Sequence, residues 1–285
     1  MSIEKTNSNY IVACLDILGY QNLVNNTHSV DDIDKIKNAF EETLNVVKKM
    51  SEELINESDS VFRKANKDIF KKVSFRLISD TFLISMPLDN CDFSDTKIQQ
   101  YFNVKERIES HIISFLAIVT IIYYRLSMNE DFGYFMRGGI SVGEHCEYPL
   151  PSIGSVHNTF LFSKTFIECY DLAENKAKYI RVLVSDKFLD FVGNLSMFEN
   201  IIFYDKEGLR CLNIYSFLAK KSLGNTQILG GIKNNLLKRI GENRTKPYIL
   251  EKYRYFVEYH NQKLSEQIQS GETQYKDYLI DITKI

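Results

Sequence analysis

Two aspartates each lie at or just past the end of an apolar run: Asp16 in Ile11-Val-Ala-Cys-Leu-Asp16-Ile-Leu-Gly-Tyr20, and Asp80 in Phe75-Arg-Leu-Ile-Ser-Asp80-Thr-Phe-Leu-Ile-Ser85. A carboxylate leaving a buried strand loses much of its hydration and needs a compensating cation. Two side by side repel one another unless a divalent metal lies between them. The chemistry that such a pair serves is metal-assisted nucleotidyl transfer. Either aspartate taken singly reads as a cap on the following helix or turn. As a pair, with Gly19 behind one of them, they favour a metal site.

Other residues are weaker candidates. The segment Arg137-Gly-Gly-Ile-Ser-Val-Gly143 is a strand interrupted by glycines, which marks a bulge or a close backbone approach, and Arg137 by itself reads as a salt-bridge partner on a sheet edge. His145 and Cys146 are adjacent, but without further spaced ligands they do not define a metal site. With 17 Tyr, 19 Phe and no Trp, aromatic residues are general core material here and receive no role in base stacking. The chain has no Gly-x-x-x-x-Gly-Lys-Ser/Thr loop and no Gly-x-Ser-x-Gly elbow, which removes P-loop and Ser-His-Asp chemistry.

The elements that must position these residues follow from periodicity. Residues 9–16 read as a strand, and residues 30–57 as an amphipathic helix, with Ile33, Ile36, Phe40, Leu44, Val47 and Leu54 on one face. Residues 73–87 run apolar on either side of Ser79-Asp80, which places Asp80 at a hairpin tip. A polar loop with Asp89, Asn90, Asp92 and Asp95 precedes a helix over 96–127, apolar most of the way round between 112 and 124 and therefore buried on more than one face. The glycine strand covers 134–143, a loop 144–158, a helix 159–176, a strand 180–185 and a short helix 186–192. Beyond residue 198 come two short apolar runs and helices over 225–240 and 246–270.

This order predicts an α+β fold, a mostly antiparallel ferredoxin-like or palm-type sheet with helices on one face. The domain division expected is a catalytic domain over 1–195 and a mainly helical C-terminal appendage over 196–285 packed on it. At 285 residues and 44% apolar content the chain can bury a sizeable core, and a formal net charge of −2 gives no global attraction to nucleic acid or anionic lipid. Five scattered cysteines without a C-x-x-C spacing read as reduced thiols. The N-terminus lacks the apolar core of a secretion signal, and the 112–124 stretch is too short to cross a bilayer, so the expectation is a cytoplasmic protein with no membrane insertion.

At this point the residues resemble a known family. Leu15-Asp16-Ile17-Leu18-Gly19-Tyr20 is similar to the first metal motif of class III nucleotidyl cyclases, Phe-x-Asp-Ile-x-Gly-Phe. Leu77-Ile78-Ser79-Asp80 resembles their second, and Arg137-Gly-Gly-Ile-Ser-Val-Gly143 their later Arg-x-Gly-Ile-x-x-Gly strand. The match covers residues 9–192. Within the superfamily, the likeness is greatest to the pyrimidine nucleotide cyclases of bacterial Pycsar antiphage systems. The helix over 162–174 and the tail motif Lys252-Tyr-Arg-Tyr-Phe-Val-Glu-Tyr-His-Asn261 carry it toward the C-terminus.

The resemblance implies two Mg²⁺ or Mn²⁺ ions held by Asp16, Asp80 and the carbonyl of Ile17. It implies β- and γ-phosphates cradled by the N–H groups of Leu18, Gly19 and Tyr20, and Arg76 donating to base carbonyls. It further implies a homodimer with shared active sites and a separate effector responsive to the cyclic nucleotide. The reaction implied is conversion of UTP or CTP to its 3′,5′-cyclic monophosphate and pyrophosphate, an antiviral second-messenger signal. Class III enzymes place an Asn and an Arg one turn apart on the helix after the glycine strand. Ile167 and Asp171 stand there instead, so that role passes to Arg137, Arg181 or another cation, or the site is inert. An inert nucleotide-binding module, a purine cyclase and an enzyme making a dinucleotide therefore stay open as alternatives.

Overall fold

The computed structural model describes residues 9–56, 68–89, 91–92, 100, 102–149, 159–193, 198–217 and 223–285. Asn90 and Asp95 of the expected polar loop, residues 96–99 of the expected helix and residues 150–158 lie outside the described residues.

The sheet is built around β1 (Asn9–Ile17). A short helix α1 (Tyr20–Asn25) and the long α2 (Val30–Asn56) follow it, then the hairpin of β2 (Ser74–Ile78) and β3 (Thr81–Pro87), and then α3 (Val104–Met128). Next come β4 (Met136–Pro149), β5 (Thr159–Ser163), α4 (Lys164–Asp171), β6 (Val182–Val184) and α5 (Asp186–Val192). The chain ends with β7 (Ile202–Tyr204), β8 (Arg210–Leu212), α6 (Leu223–Glu242) and α7 (Pro247–Gln269), with 3₁₀ turns after β8 and after α7. Strand order is β2-β3-β1-β4-β6-β8-β7, with β5 paired to the far end of β4. Only β4 and β6 run parallel among these pairs. The expected mostly antiparallel α+β architecture is the observed one, and two of its strands, formed by the two short apolar runs, lie beyond residue 195.

Alternation along β1 divides the two faces of the sheet. Ile11, Ala13, Leu15 and Ile17 point into the main core, with Phe82 and Ile84 of β3, Phe115 and Val119 of α3, Leu229 of α6 and Phe256 of α7. Burying each such side chain contributes about 1.5–3 kcal/mol before entropy is counted. Val12 and Cys14 face the other way and pack with Leu83 and with Cys169 of α4, so this one helix lies on the opposite face. Gly139 explains how it fits: a β-carbon there would overlap the Cys169 carbonyl and the Leu172 side chain. The glycine strand is thus a close-approach site.

Local chemistry sets several boundaries. Ser79 adopts φ 58° at the β2–β3 tip, as a tight hairpin demands. Asn103 starts α3 with a capping box: its side chain accepts from the Glu106 N–H at 3.0 Å, and the Glu106 carboxylate accepts from the Asn103 N–H at 2.8 Å. Helix α3 has 25 residues and enough hydropathy to cross a membrane by length and composition, contrary to the expectation that its apolar stretch is too short. It is instead largely buried in this protein's own core, with 67% of its most apolar window inside, consistent with a soluble protein.

Two expectations are corrected. Residues 144–149 continue β4 rather than forming a loop, and residues 159–163 form β5 rather than the start of a helix. The run Thr-Phe-Leu-Phe-Ser suits either period, and pairing with β4 decides it. The helix begins only at Lys164, where the Ser163 hydroxyl accepts from the Phe166 N–H at 2.8 Å. It then passes into a π-helical turn, Leu172–Lys176, which sequence periodicity did not mark.

Candidate active site

Asp16 is the penultimate residue of β1, opposite Thr81 on one neighbour and Arg137 on the other. It is 6% exposed. Arg137 Nε donates to Asp16 Oδ2 at 2.8 Å, and Arg137 Nη2 donates to Glu174 Oε1 at 2.6 Å, the latter carried by the π-helical turn. Burial pushes the Asp16 carboxyl above the usual carboxylate range; Arg137 pulls it back, and the charges of Glu174 and Asp80 push it up again. Arg137 shows the converse balance, with burial working against its charge and the two carboxylates more than restoring it.

Asp80 lies at the hairpin tip, and its carbonyl accepts the Ile17 N–H at 3.0 Å. That bond ties the turn to the end of β1, so the two aspartates occupy adjacent strand ends and feel each other's charge. Asp16 and Asp80 thus stand at neighbouring positions on the end of the sheet.

Asp16, Asp80 and the Ile17 carbonyl offer oxygen only, which suits Mg²⁺ or Mn²⁺ and not a soft metal. Among the described residues no group of three or more His, Cys, Asp or Glu side chains is arranged to hold a metal. Mg²⁺ commonly takes one or two carboxylates and completes its shell with water and substrate phosphates, so two carboxylates and a carbonyl fit it.

Behind Asp16 the chain turns at Gly19, whose φ of 83° is left-handed. The turn also packs against the Tyr134 ring, 3.5 Å from where a Gly19 β-carbon would sit. Of the three N–H groups expected to cradle phosphates, that of Leu18 is committed to the Phe135 carbonyl at 2.9 Å. Gly19 and Tyr20 remain as the candidates at the start of α1.

Arg76 pairs with Leu83, which pairs with Cys14, so it shares the Asp16 face two strands away. Its Nε donates to Glu147 Oε2 at 3.0 Å and its Nη2 makes an ion pair with the same oxygen. Glu147 Oε1 accepts from Ser85 Oγ at 3.1 Å and lies 2.9 Å from His145 Nε2, while His145 Nδ1 lies 2.8 Å from Ser163 Oγ. Burial pushes the Glu147 carboxyl up, but hydrogen bonds from His145 and Arg76 outweigh it and lower it to about 2. His145 is thus a buried, satisfied histidine of this cluster.

Two site residues escaped the sequence reading. Glu147 is the acidic partner of Arg76; strand alternation from Arg137 through His145 to Glu147 carried the signal, and reading 144–158 as a loop hid it. Glu174 needed the π-helical turn, which leaves no periodic trace. Arg181 does not reach the site: it is buried against Asp205 and Glu207 and lies 5.3 Å from each of the Tyr179 and Tyr255 ring centroids. Ile167 is 67% exposed, and Asp171 accepts from Asn175 Nδ2 at 2.7 Å. All five cysteines are free thiols, as expected.

No family model and no curated protein matches the chain. Among solved structures, the guanylyl cyclase Cya2 aligns with 72% of this chain and 90% of its own at 9% identity, with a TM-score of 0.40. A likeness this distant says nothing about activity.

Proposed function

We propose that the protein is a metal-dependent nucleotide cyclase that converts UTP or CTP to the 3′,5′-cyclic monophosphate and pyrophosphate. The observation that carries this reading is the placement of Asp16 and Asp80 at adjacent strand ends, with the Gly19 turn directly behind. The sequence resemblance to pyrimidine cyclases supplies the base preference and the antiphage signalling role through a separate effector.

In this reading Asp16, Asp80 and the Ile17 carbonyl would hold two Mg²⁺ or Mn²⁺ ions. When bound, the ions lower the pKa of the ribose 3′-hydroxyl and neutralise charge at the α-phosphate. The chain's own groups do the positioning. Gly19 and Tyr20 N–H groups receive the terminal phosphates, and the 3′-oxygen displaces pyrophosphate in line. Arg137 holds Asp16 through one oxygen, Oδ2, fixing its orientation. Arg76, steadied by Glu147, presents its remaining donors to a pyrimidine carbonyl. Exposed Ile78 on the same face and Ile167 on α4 support docking of a second copy, which completes shared sites in a homodimer.

The second reading, an inert nucleotide-binding module, is favoured by one observation: Arg137 already compensates Asp16. One experiment separates the two. Purified protein is incubated with Mn²⁺ and each ribonucleoside triphosphate in turn, beside Asp16→Ala and Asp80→Ala, and products are identified by mass spectrometry. Cyclic UMP or CMP lost in both variants supports the cyclase. Nucleotide binding without any product favours the inert module, and a product heavier than a mononucleotide points to a dinucleotide-forming enzyme.

A further inference from the structure

A cavity of about 760 Å³ opens between the Gly19 turn with α1 and the C-terminal helices α6 and α7. That is within the usual size range of small-molecule sites. Asp16, Asp80 and Arg76 do not line it, but Leu18 and Gly19 do, so it lies behind the aspartates and shares the Gly19 turn with the candidate active site. Its walls carry Lys238, Arg239, Lys246 and Lys252 against Asp131 and Glu242, a formal +2 in a chain whose total is −2.

The charges are not equivalent. Arg239 is structural: its Nε and Nη2 donate to the Gly133 and Phe132 carbonyls at 3.1 and 2.6 Å, and its Nη1 pairs with Glu242 at 2.9 Å. Its guanidinium sits 3.6 Å from the Tyr134 ring centroid, the same ring that supports Gly19. With Arg239 and Glu242 paired, Lys238, Lys246 and Lys252 face a single further carboxylate, Asp131. Lys238 and Lys246 are exposed, and Lys252 lies 4.7 Å from the Tyr248 ring centroid. The first turn of α7, which starts at this rim with Pro247, carries no acidic residue, so the positive end of that helix adds to the field. Asn22, Asn26 and Asn243 supply neutral donors and acceptors.

We propose that this cavity binds a small phosphate-bearing anion, and that the Gly19, Tyr134 and Arg239 stack connects its occupancy to the turn behind Asp16. Lysine ammonium groups on a concave wall suit phosphate as point charges. The exposed Tyr248 ring offers a face for an attached base or sugar.

The binding claim does not rest on the cyclase reading, and its test keeps the two apart. The Asp16→Ala/Asp80→Ala protein is titrated calorimetrically in EDTA with inorganic pyrophosphate and, separately, with uridine monophosphate. Saturable binding of either probe near one per chain is expected, weakened by about tenfold or more when Lys238→Glu and Lys246→Glu are added. The control pair Lys37→Glu and Lys105→Glu reverses exposed helix lysines that do not line the cavity and should leave binding intact. Tighter binding of the nucleotide assigns a role to Tyr248; equal or tighter binding of pyrophosphate assigns the site to phosphate alone. Hydrogen exchange over residues 18–26 should slow on binding. No saturable binding up to millimolar probe, or equal loss in the control pair, overturns the site. Binding without slower exchange in 18–26 overturns the connection to Gly19.

Discussion

Arg137 lies directly across the β1–β4 ladder from Asp16 and donates to one of its carboxylate oxygens at 2.8 Å. The guanidinium therefore does, without metal, part of the work a cation would do there. Removing it as Arg137→Ala leaves a desolvated carboxylate uncompensated and should cost about 2–4 kcal/mol in urea unfolding. Mn²⁺ should then raise the melting temperature of Arg137→Ala more than that of wild type, because the ion meets an unpaired Asp16. Equal or smaller Mn²⁺ stabilisation in the variant would count against a metal at this carboxylate.

Arg76 and Glu147 should behave as a coupled pair. Each is partly buried, and Glu147 also receives Ser85 and lies against His145. A double-mutant cycle of Arg76→Ala and Glu147→Ala should give a coupling of about 1–2 kcal/mol in stability. If the pair orients Arg76 toward a base, Glu147→Gln should change the ratio of kcat/KM among the triphosphates by about tenfold or more. An unchanged ratio would leave the pair a purely structural one.

Gly139 should tolerate no side chain. A Gly139→Ala β-carbon meets the Cys169 carbonyl, backbone that cannot swing away, so a loss of about 2–4 kcal/mol is expected. Gly241→Ala, at an exposed helical position with open space around it, should instead stabilise by about 0.5–1 kcal/mol. Thermal unfolding of both variants checks the contrast.

Acid should weaken the fold through its buried histidines. His260 is fully buried, with Nδ1 2.6 Å from the Tyr215 hydroxyl and Nε2 3.0 Å from the Tyr278 carbonyl. Burial lowers it to about 4, and His111, also buried, is lowered to about 4 for the same reason. A histidine depressed in the folded state takes up its proton on unfolding. Its contribution is complete above the unfolded value near 6.5 and is lost as pH falls toward 4, with a slope set by the extra proton bound in the unfolded chain. Melting temperature should fall across that window, and the fall should be shallower in His260→Gln. A profile of equal steepness in the variant would remove His260 from the account.

The sequence by itself determined the features that repeat locally. Apolar runs wrote β1 and the β2–β3 hairpin, the three-and-four spacing wrote α2, and the run of apolar residues in α3 required burial on most of its surface. The two aspartates were legible because Asp16 closes one apolar run and Asp80 interrupts another. The tertiary structure decided what lies across from them. Arg137 reaches Asp16 over 121 residues and Glu147 reaches Arg76 over 71; both meetings depend on strand register, and the second also on β4 continuing past residue 143. Glu174 arrives through a π-helical turn with no periodic signature. The cavity beside Gly19 exists only because α6 and α7 pack there. Short-range periodicity fixes which residues share a face; contacts at long separation are set by packing, which no local pattern encodes.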